Sequence, residues 1–192
     1  MERFKFKTGA PQGVVRGGYL VAISKKTKSL TASTKRLLNS GENELVDYKE
    51  KSSGLVMDDF TAFANSPTGG SILVGVKEAV GKNGEQIGEV CGCSISDDTI
   101  LSILNKAIEC VPPVKIEVAI ENLNTAPILR IDIPKSTTRP HSTRKGVYCV
   151  RDGSRNRALL PSELLEIFLQ AEADDFEKRY DETAEVIQGN LE

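Results

Sequence analysis

The run Ile72-Leu73-Val74-Gly75-Val76 does most to constrain the fold. It is continuously apolar and of strand type, so Ser71–Val76 reads as a buried central strand. Its approach is patterned too. Met57, Phe60, Phe63 and Ala64 share one face of a helix over Val56–Ala64. Asp58 and Asp59 sit in its first turn, where the helix dipole favours negative charge. Pro67 and Gly69-Gly70 end that helix ahead of the strand.

The same reading extends along the chain. Val14–Ile23 is a strand interrupted at Gly17-Gly18, and Ser33–Leu38 a short helix stopped near Gly41. Glu44–Lys49 alternates as a half-buried strand, and Lys77–Gly88, with three glycines, is a loop or hairpin. Asp97-Asp98 opens a second apolar helix that Pro112-Pro113 closes. Val114–Ile120 and Pro127–Ile133 are strands joined through Thr125-Ala126-Pro127, and Gly146–Val150 is another. Pro161 starts a further helix, with an acidic helical extension over 171–188. Strand, helix, strand, helix, strands, helix is an α+β order with a mixed sheet.

A hydrophobic fraction of 39% and a charged fraction of 27% suit a folded domain. The apolar runs fall far short of a bilayer span, and Met1–Thr8 lacks the apolar core of a signal peptide, so no membrane association and a cytoplasmic location are expected. Cys91, Cys93, Cys110 and Cys149 are then reduced thiols, and no second pair joins Cys91-Gly92-Cys93 at zinc spacing. The net charge of −2 conceals segregation. Residues 1–41 hold nine Lys/Arg and one acid, 135–157 seven and one, while 163–192 hold ten acids and two bases.

Three features carry candidate chemistry. Glu42, Glu44, Asp47 and Glu50 lie within nine residues, and Glu78 follows the central strand. Acids converging from neighbouring strands can hold Mg²⁺ or Mn²⁺, which orient water for phosphodiester attack. Asn65–Ser71 is a helix-to-strand turn whose glycines permit close backbone approach. Backbone contact with phosphate is one reading. A tight turn into a buried strand is the other, favoured because the turn lies at a helix C-terminus, the wrong dipole end for an anion. Arg139, Arg144, Lys145, Arg151, Arg155 and Arg157 form an Arg-rich segment suited to phosphate contacts or to a solvated loop. No GxxxxGK[ST] phosphate loop is present.

Four motifs in order resemble the Schlafen-type AlbA domain. They are Glu42-Asn43-Glu44-Leu45-Val46-Asp47-Tyr48-Lys49, Ala62-Phe63-Ala64-Asn65 followed by Gly69-Gly70, Leu73-Val74-Gly75-Val76-Lys77-Glu78, and Tyr148-Cys149-Val150-Arg151-Asp152-Gly153-Ser154. The resemblance runs from Glu42 to about Gln170 and implies an α/β lobe that binds nucleic acid. In some animal members three acids form a metal-dependent site that cleaves tRNA and rRNA. By motif position these acids are Glu42, Asp47 and Glu78 here. Asp47 and Glu78 each exchange one acid type for the other, Lys77 stands where the family often has an acid, and those nucleases use two lobes.

The resemblance organises the chain into a basic extension with a short hairpin and helix (1–41), the Schlafen AlbA-like domain (42–170) and an acidic C-terminal helix (171–192). The leading functional expectation is binding of DNA or RNA, with Arg139, Arg144, Lys145, Arg151, Arg155, Arg157 and Lys51 on phosphates and no cofactor. The alternative is an endoribonuclease acting on tRNA or other structured RNA. There Glu42, Asp47 and Glu78 would hold Mg²⁺ or Mn²⁺, and Lys49 would stabilise charge on the scissile phosphate. A homodimer would recreate the two-lobed groove.

Overall fold

The computed structural model describes the backbone of residues 12–16 and 19–189, and side chains from residue 25 onward except at 174, 175, 178 and 182–189. Met1–Thr8 and the turn at Gly17-Gly18 lie outside the described residues. In chain order the elements are β1 (Gln12–Arg16), β2 (Tyr19–Lys26), α1 (Ala32–Asn39), β3 (Val46–Lys49), α2 (Met57–Asn65), β4 (Gly69–Val74), β5 (Val76–Val80), β6 (Gln86–Val90), α3 (Asp97–Ile108), β7 (Glu117–Glu121), β8 (Ile128–Pro134), β9 (Cys149–Asp152), β10 (Arg155–Ala158) and α4 (Pro161–Gly189). The fold is α+β.

Six strands form one mixed sheet in the order β1-β2-β7-β8-β4-β3. The pairs β2/β7 and β3/β4 are parallel and the rest antiparallel. β4 is therefore interior, paired on both sides as its apolar run requires, though next to the edge rather than at the centre, and β3 is an edge. The sheet also takes in β1 and β2, from before Glu42.

Period-two alternation sorts side chains to two faces. Ile72 and Val74 of β4, Val118 and Ile120 of β7, and Leu129, Ile131 and Ile133 of β8 pack with Phe60 and Phe63 of α2 and Ile100, Ile103 and Leu104 of α3. Val114 and Ile116 join that core although β7 starts only at Glu117. Each such fully buried aliphatic or aromatic side chain contributes about 1.5–3 kcal/mol. On the other face, Val46, Tyr48, Leu73 and Ile128 pack with Leu38 of α1.

The central strand is shorter than its apolar run. Gly75, at φ +92°, interrupts Ser71–Val76 after Val74. A Cβ there would lie 2.9 Å from the Gly92 carbonyl carbon, and the Gly75 oxygen accepts hydrogen bonds from both Cys91 and Gly92 N–H groups. The chain leaves the sheet at this point and forms the β5–β6 hairpin. A second hairpin, β9–β10, packs against α2.

Candidate functional site

The acidic strand and part of the Arg-rich segment meet at the outer edge of β3. An edge strand presents N–H and C=O groups with no neighbour. Here side chains take them up. Glu42 Oε1 accepts the Tyr48 N–H at 2.7 Å. Arg151 Nη2 donates to the carbonyls of Asn43 (3.0 Å) and Val46 (3.4 Å). Its Nη1 donates to Asp47 Oδ1 (3.3 Å) and Asn156 Oδ1 (2.9 Å). The guanidinium lies 4.8 Å over the Phe63 ring, while Nε is buried without an acceptor. Its side chain is only 2% exposed.

Asp47 is buried and flanked by two cations. Beyond Arg151, Lys49 Nζ forms an ion pair with its Oδ2 at 2.7 Å and a second with Asp59 Oδ1 at 3.4 Å. Asp59 comes from the first turn of α2. Its Oδ2 caps that helix by accepting the Val56 N–H (2.9 Å), and its Oδ1 accepts from Asn156 Nδ2 (2.7 Å). Burial pushes the Asp59 carboxyl up, with Asp47's charge adding to it and the Val56 N–H and Lys49 opposing. Burial also raises Glu42. The Tyr48 N–H opposes this, while Asp47 and Glu78 push the same way. Burial works to lower Lys49, but Asp47 and Asp59 outweigh it and its pKa is raised.

Of the three acids the resemblance assigns to metal, Glu42 senses the charge of both Asp47 and Glu78. The latter is exposed on β5. Yet among the described residues no three His, Cys, Asp or Glu side chains are grouped to hold a metal ion. Asp47 turns its two oxygens to Arg151 and Lys49, cations that occupy the directions a ligand would need. As placed, the three acids do not fit a divalent ion. Cys91 and Cys93 are free thiols, like Cys110 and Cys149.

The Arg-rich segment is divided among several tasks. Arg151 is interior, which removes it from phosphate contact in this arrangement. Arg157 pairs with Glu163 of α4 at 2.6 Å and with Asp152 at 2.9 Å, and holds Glu163 down to about 2. Arg139 donates to Gln170 of α4 at 2.6 Å. Arg144 is 65% exposed and only loosely paired with Glu109 at 3.6 Å. Lys145, Arg155 and Lys51 are exposed. Arg144 and Lys145 sit in the turn closed by the Gly146 N–H to the Thr143 carbonyl, and Arg155 follows the β9–β10 turn.

The glycine turn is a packing device. A Cβ on Gly70 would meet the Phe63 ring at 2.3 Å and the Leu45 carbonyl at 2.8 Å. Asn65, at the end of α2, clamps the loop before β9. Its Oδ1 accepts the His141 N–H (2.7 Å), and its Nδ2 donates to the carbonyls of His141 (2.9 Å) and Cys149 (2.8 Å). His141 lies within 2.7 Å of the Pro112 carbonyl through Nδ1, which must therefore carry the proton. Nε2 then accepts from Ser136 Oγ at 2.6 Å. Burial lowers its pKa. Sequence reading missed this clamp and the reach of Asp59 and Asn156. The only signal was an Asn ending an apolar helix, where the backbone leaves groups to satisfy.

The chain belongs to the Schlafen AlbA_2 family, whose profile matches residues 42–160, more than half of its length. Among solved structures it is similar to the DIP2311 protein of Corynebacterium diphtheriae, at 18% identity and a TM-score of 0.49, over 70% of this chain and 31% of that one. It is also similar to the N-terminal domain of an ATP-dependent DNA helicase RecG-related protein from Nitrosomonas europaea. That match has 22% identity and a TM-score of 0.48, over 68% of this chain and 95% of that domain. The chain thus spans under a third of the Corynebacterium protein. No curated protein matches it. Among the described residues no helix is long and apolar enough to cross a membrane.

Proposed function

We propose that this domain binds nucleic acid, DNA or RNA, by contacting phosphates through Arg144, Lys145, Arg155 and Lys51. One observation carries the reading. These cations stand exposed, and among the described residues the one ion pair they make is the loose contact of Arg144 with Glu109 at 3.6 Å, whereas Arg151, Arg157 and Arg139 are engaged within the protein. Guanidinium and ammonium groups so presented neutralise phosphates without reading bases, so binding is salt-dependent and tolerant of sequence. The family resemblance supports the same partner.

Fluorescence anisotropy with single- and double-stranded DNA and RNA, titrated with salt, tests the reading. Removing one phosphate contact, as in Arg155→Ala, weakens binding to all sequences alike and lowers the salt slope by about 1. A variant lacking Arg144, Lys145 and Arg155 together that binds like the wild type would falsify the placement.

The endoribonuclease alternative draws on Glu42, whose carboxyl senses the charges of Asp47 and Glu78. It requires Asp47 to exchange its cation partners for a metal. Incubation with tRNA and Mn²⁺ decides it: cleavage abolished by Asp47→Asn supports this site, and no cleavage, or cleavage that persists in the variant, removes it.

A further inference from the structure

We propose that Ser136 is a nucleophile, activated by His141, that attacks small carboxylic esters. The two side chains meet in the loop between β8 and β9. Ser136 Oγ lies 2.6 Å from His141 Nε2, and His141 Nδ1 lies 2.7 Å from the Pro112 carbonyl. A carbonyl only accepts, so the imidazole proton is on Nδ1 and the bare Nε2 receives the Ser136 hydroxyl hydrogen. A nucleophile, a base and a third group that orients the base are the parts that covalent catalysis needs. His141 is 1% exposed, while Ser136 is half-buried between the exposed Lys135 and Thr137. The base is shielded from water and the nucleophile is within reach of it.

The end of α2 holds both partners. The Ser136 N–H donates to the Ala64 carbonyl at 3.4 Å, and the His141 N–H donates to Asn65 Oδ1 at 2.7 Å. Adjacent residues of one helix thus set the spacing of serine and imidazole, which is how a rigid element preorganises a site.

The serine oxygen is polarised as well. Its own hydrogen goes to His141, so in the 3.2 Å contact with Thr138 Oγ1 the threonine is the donor, and the Thr138 N–H donates at 3.0 Å. A buried imidazole needs one donor at Nε2, and a serine supplies it. It does not need that serine's oxygen to receive two further hydrogen bonds. Donors aimed at an oxygen favour its anionic form, and with it the attack. The Thr137 N–H, on the residue after the serine, donates to no acceptor among the described residues, which leaves it for the oxyanion of an ester.

As Oγ bonds the carbonyl carbon, its proton passes to Nε2 and the carbonyl π electrons move onto oxygen. Their return expels the alcohol, which leaves with the proton from Nε2. Water then gives a proton to Nε2, adds to the acyl carbon and displaces Ser136, which takes that proton back. Ester and water become acid and alcohol with no other reactant. This inference does not depend on the nucleic-acid reading, and its test uses no nucleic acid.

The full chain is incubated with a fluorophosphonate, which loses fluoride as a serine bonds its phosphorus, and the labelled peptide is identified by mass. One label should appear, on Ser136, more than about tenfold faster than on the urea-unfolded chain. Ser136→Ala should remove it, together with the burst of p-nitrophenolate from p-nitrophenyl acetate. His141→Gln keeps an acceptor for the hydroxyl but cannot take its proton, and should slow labelling by more than about tenfold with the circular dichroism unchanged. Burial lowers the His141 pKa, opposed by the Pro112 carbonyl, and only the neutral imidazole accepts a proton. The wild-type rate should therefore rise from about pH 5 and level off by about pH 6.5. A hydrogen bond with a structural role alone gives neither effect. No label on Ser136, or one gained less than about tenfold faster than in the unfolded chain, overturns the proposal. So does a folded His141→Gln that labels within about tenfold of the wild type, or a wild-type rate that is flat across this pH range. Should that variant not fold, the wild-type pH profile decides.

Discussion

Arg151→Ala distinguishes a folding role from a ligand-binding one. The substitution deletes a guanidinium whose side chain is 2% exposed and which serves Asp47, Asn156 and the carbonyls of Asn43 and Val46. It leaves the buried Asp47 with Lys49 alone and opens the edge of β3. Removing one member of a buried, hydrogen-bonded ion pair costs about 3–5 kcal/mol, because the remaining charge stays desolvated. Against a typical stability of roughly 5–15 kcal/mol, that is a large fraction. For a chain of this size it corresponds to a fall in Tm of roughly 6–20 °C. Urea and thermal unfolding at neutral pH measure it. Arg155→Ala, at the exposed start of β10, serves as the reference and should stay within about 0.5 kcal/mol of the wild type. Adding Asp47→Asn to Arg151→Ala should cost less than the sum of the two single changes, since one interaction is counted in both. If Arg151→Ala destabilises by less than about 1 kcal/mol, the guanidinium is not holding the edge, and its conservative reassignment to phosphate contact returns.

Three further outcomes follow from the same geometry. Glu42→Gln keeps an oxygen for the Tyr48 N–H and removes a charge that burial disfavours, so stability near pH 7 should shift by less than about 1 kcal/mol. Because the folded-state pKa of Glu42 is raised, its contribution is fully present below the ordinary carboxylate range and is lost as pH rises through the folded value. Urea midpoints in the variant should therefore fall less between about pH 4.5 and 7. Gly70→Ala drives a methyl into the Phe63 ring and the Leu45 carbonyl, and should destabilise by about 1–3 kcal/mol or more in the same unfolding assay. His141 has a lowered folded pKa, so its contribution is intact above about pH 6.5 and lost as pH falls below it. His141→Gln should flatten the stability profile between about pH 6.5 and 5, and an unchanged slope would mean that the imidazole titrates freely.

The elements that were legible in sequence are those whose periodicity is local. Phe60 and Phe63 announce the buried face of α2, and Ile72–Val74 the central strand, because burial on two faces leaves no polar position. The strand end was not legible. Val76 continues the apolar run, and only the contact of Gly75 with Gly92, distant in sequence, shows why the chain turns there. β10 escaped for a related reason. Arg155-Asn156-Arg157 is polar throughout, and its pairing with β9 is fixed by the turn at Gly153 rather than by alternation. The candidate site was legible as composition but not as partnership. Arg151 and Arg155 look alike in a basic segment, yet one side chain points into the protein and the other stands exposed.

That difference bears on what the acidic motif is for. On β3, Glu42 satisfies an outward N–H, Arg151 satisfies two carbonyls, and Asp47 neutralises the arginine that does so. Lys49 ties the same carboxylate to Asp59, and Asp59 caps α2. The acids and the lysine at this spacing are thus accounted for by one requirement, to finish a sheet edge and fasten it to the neighbouring helix and hairpin without another strand, while the Tyr48 ring packs against α1 and its hydroxyl donates to the Leu37 carbonyl. The edge so closed cannot add a strand from a second copy. The motif that first suggests cleavage is thereby accounted for as structure, which leaves the exposed Arg144, Lys145 and Arg155 as the cations proposed for phosphate.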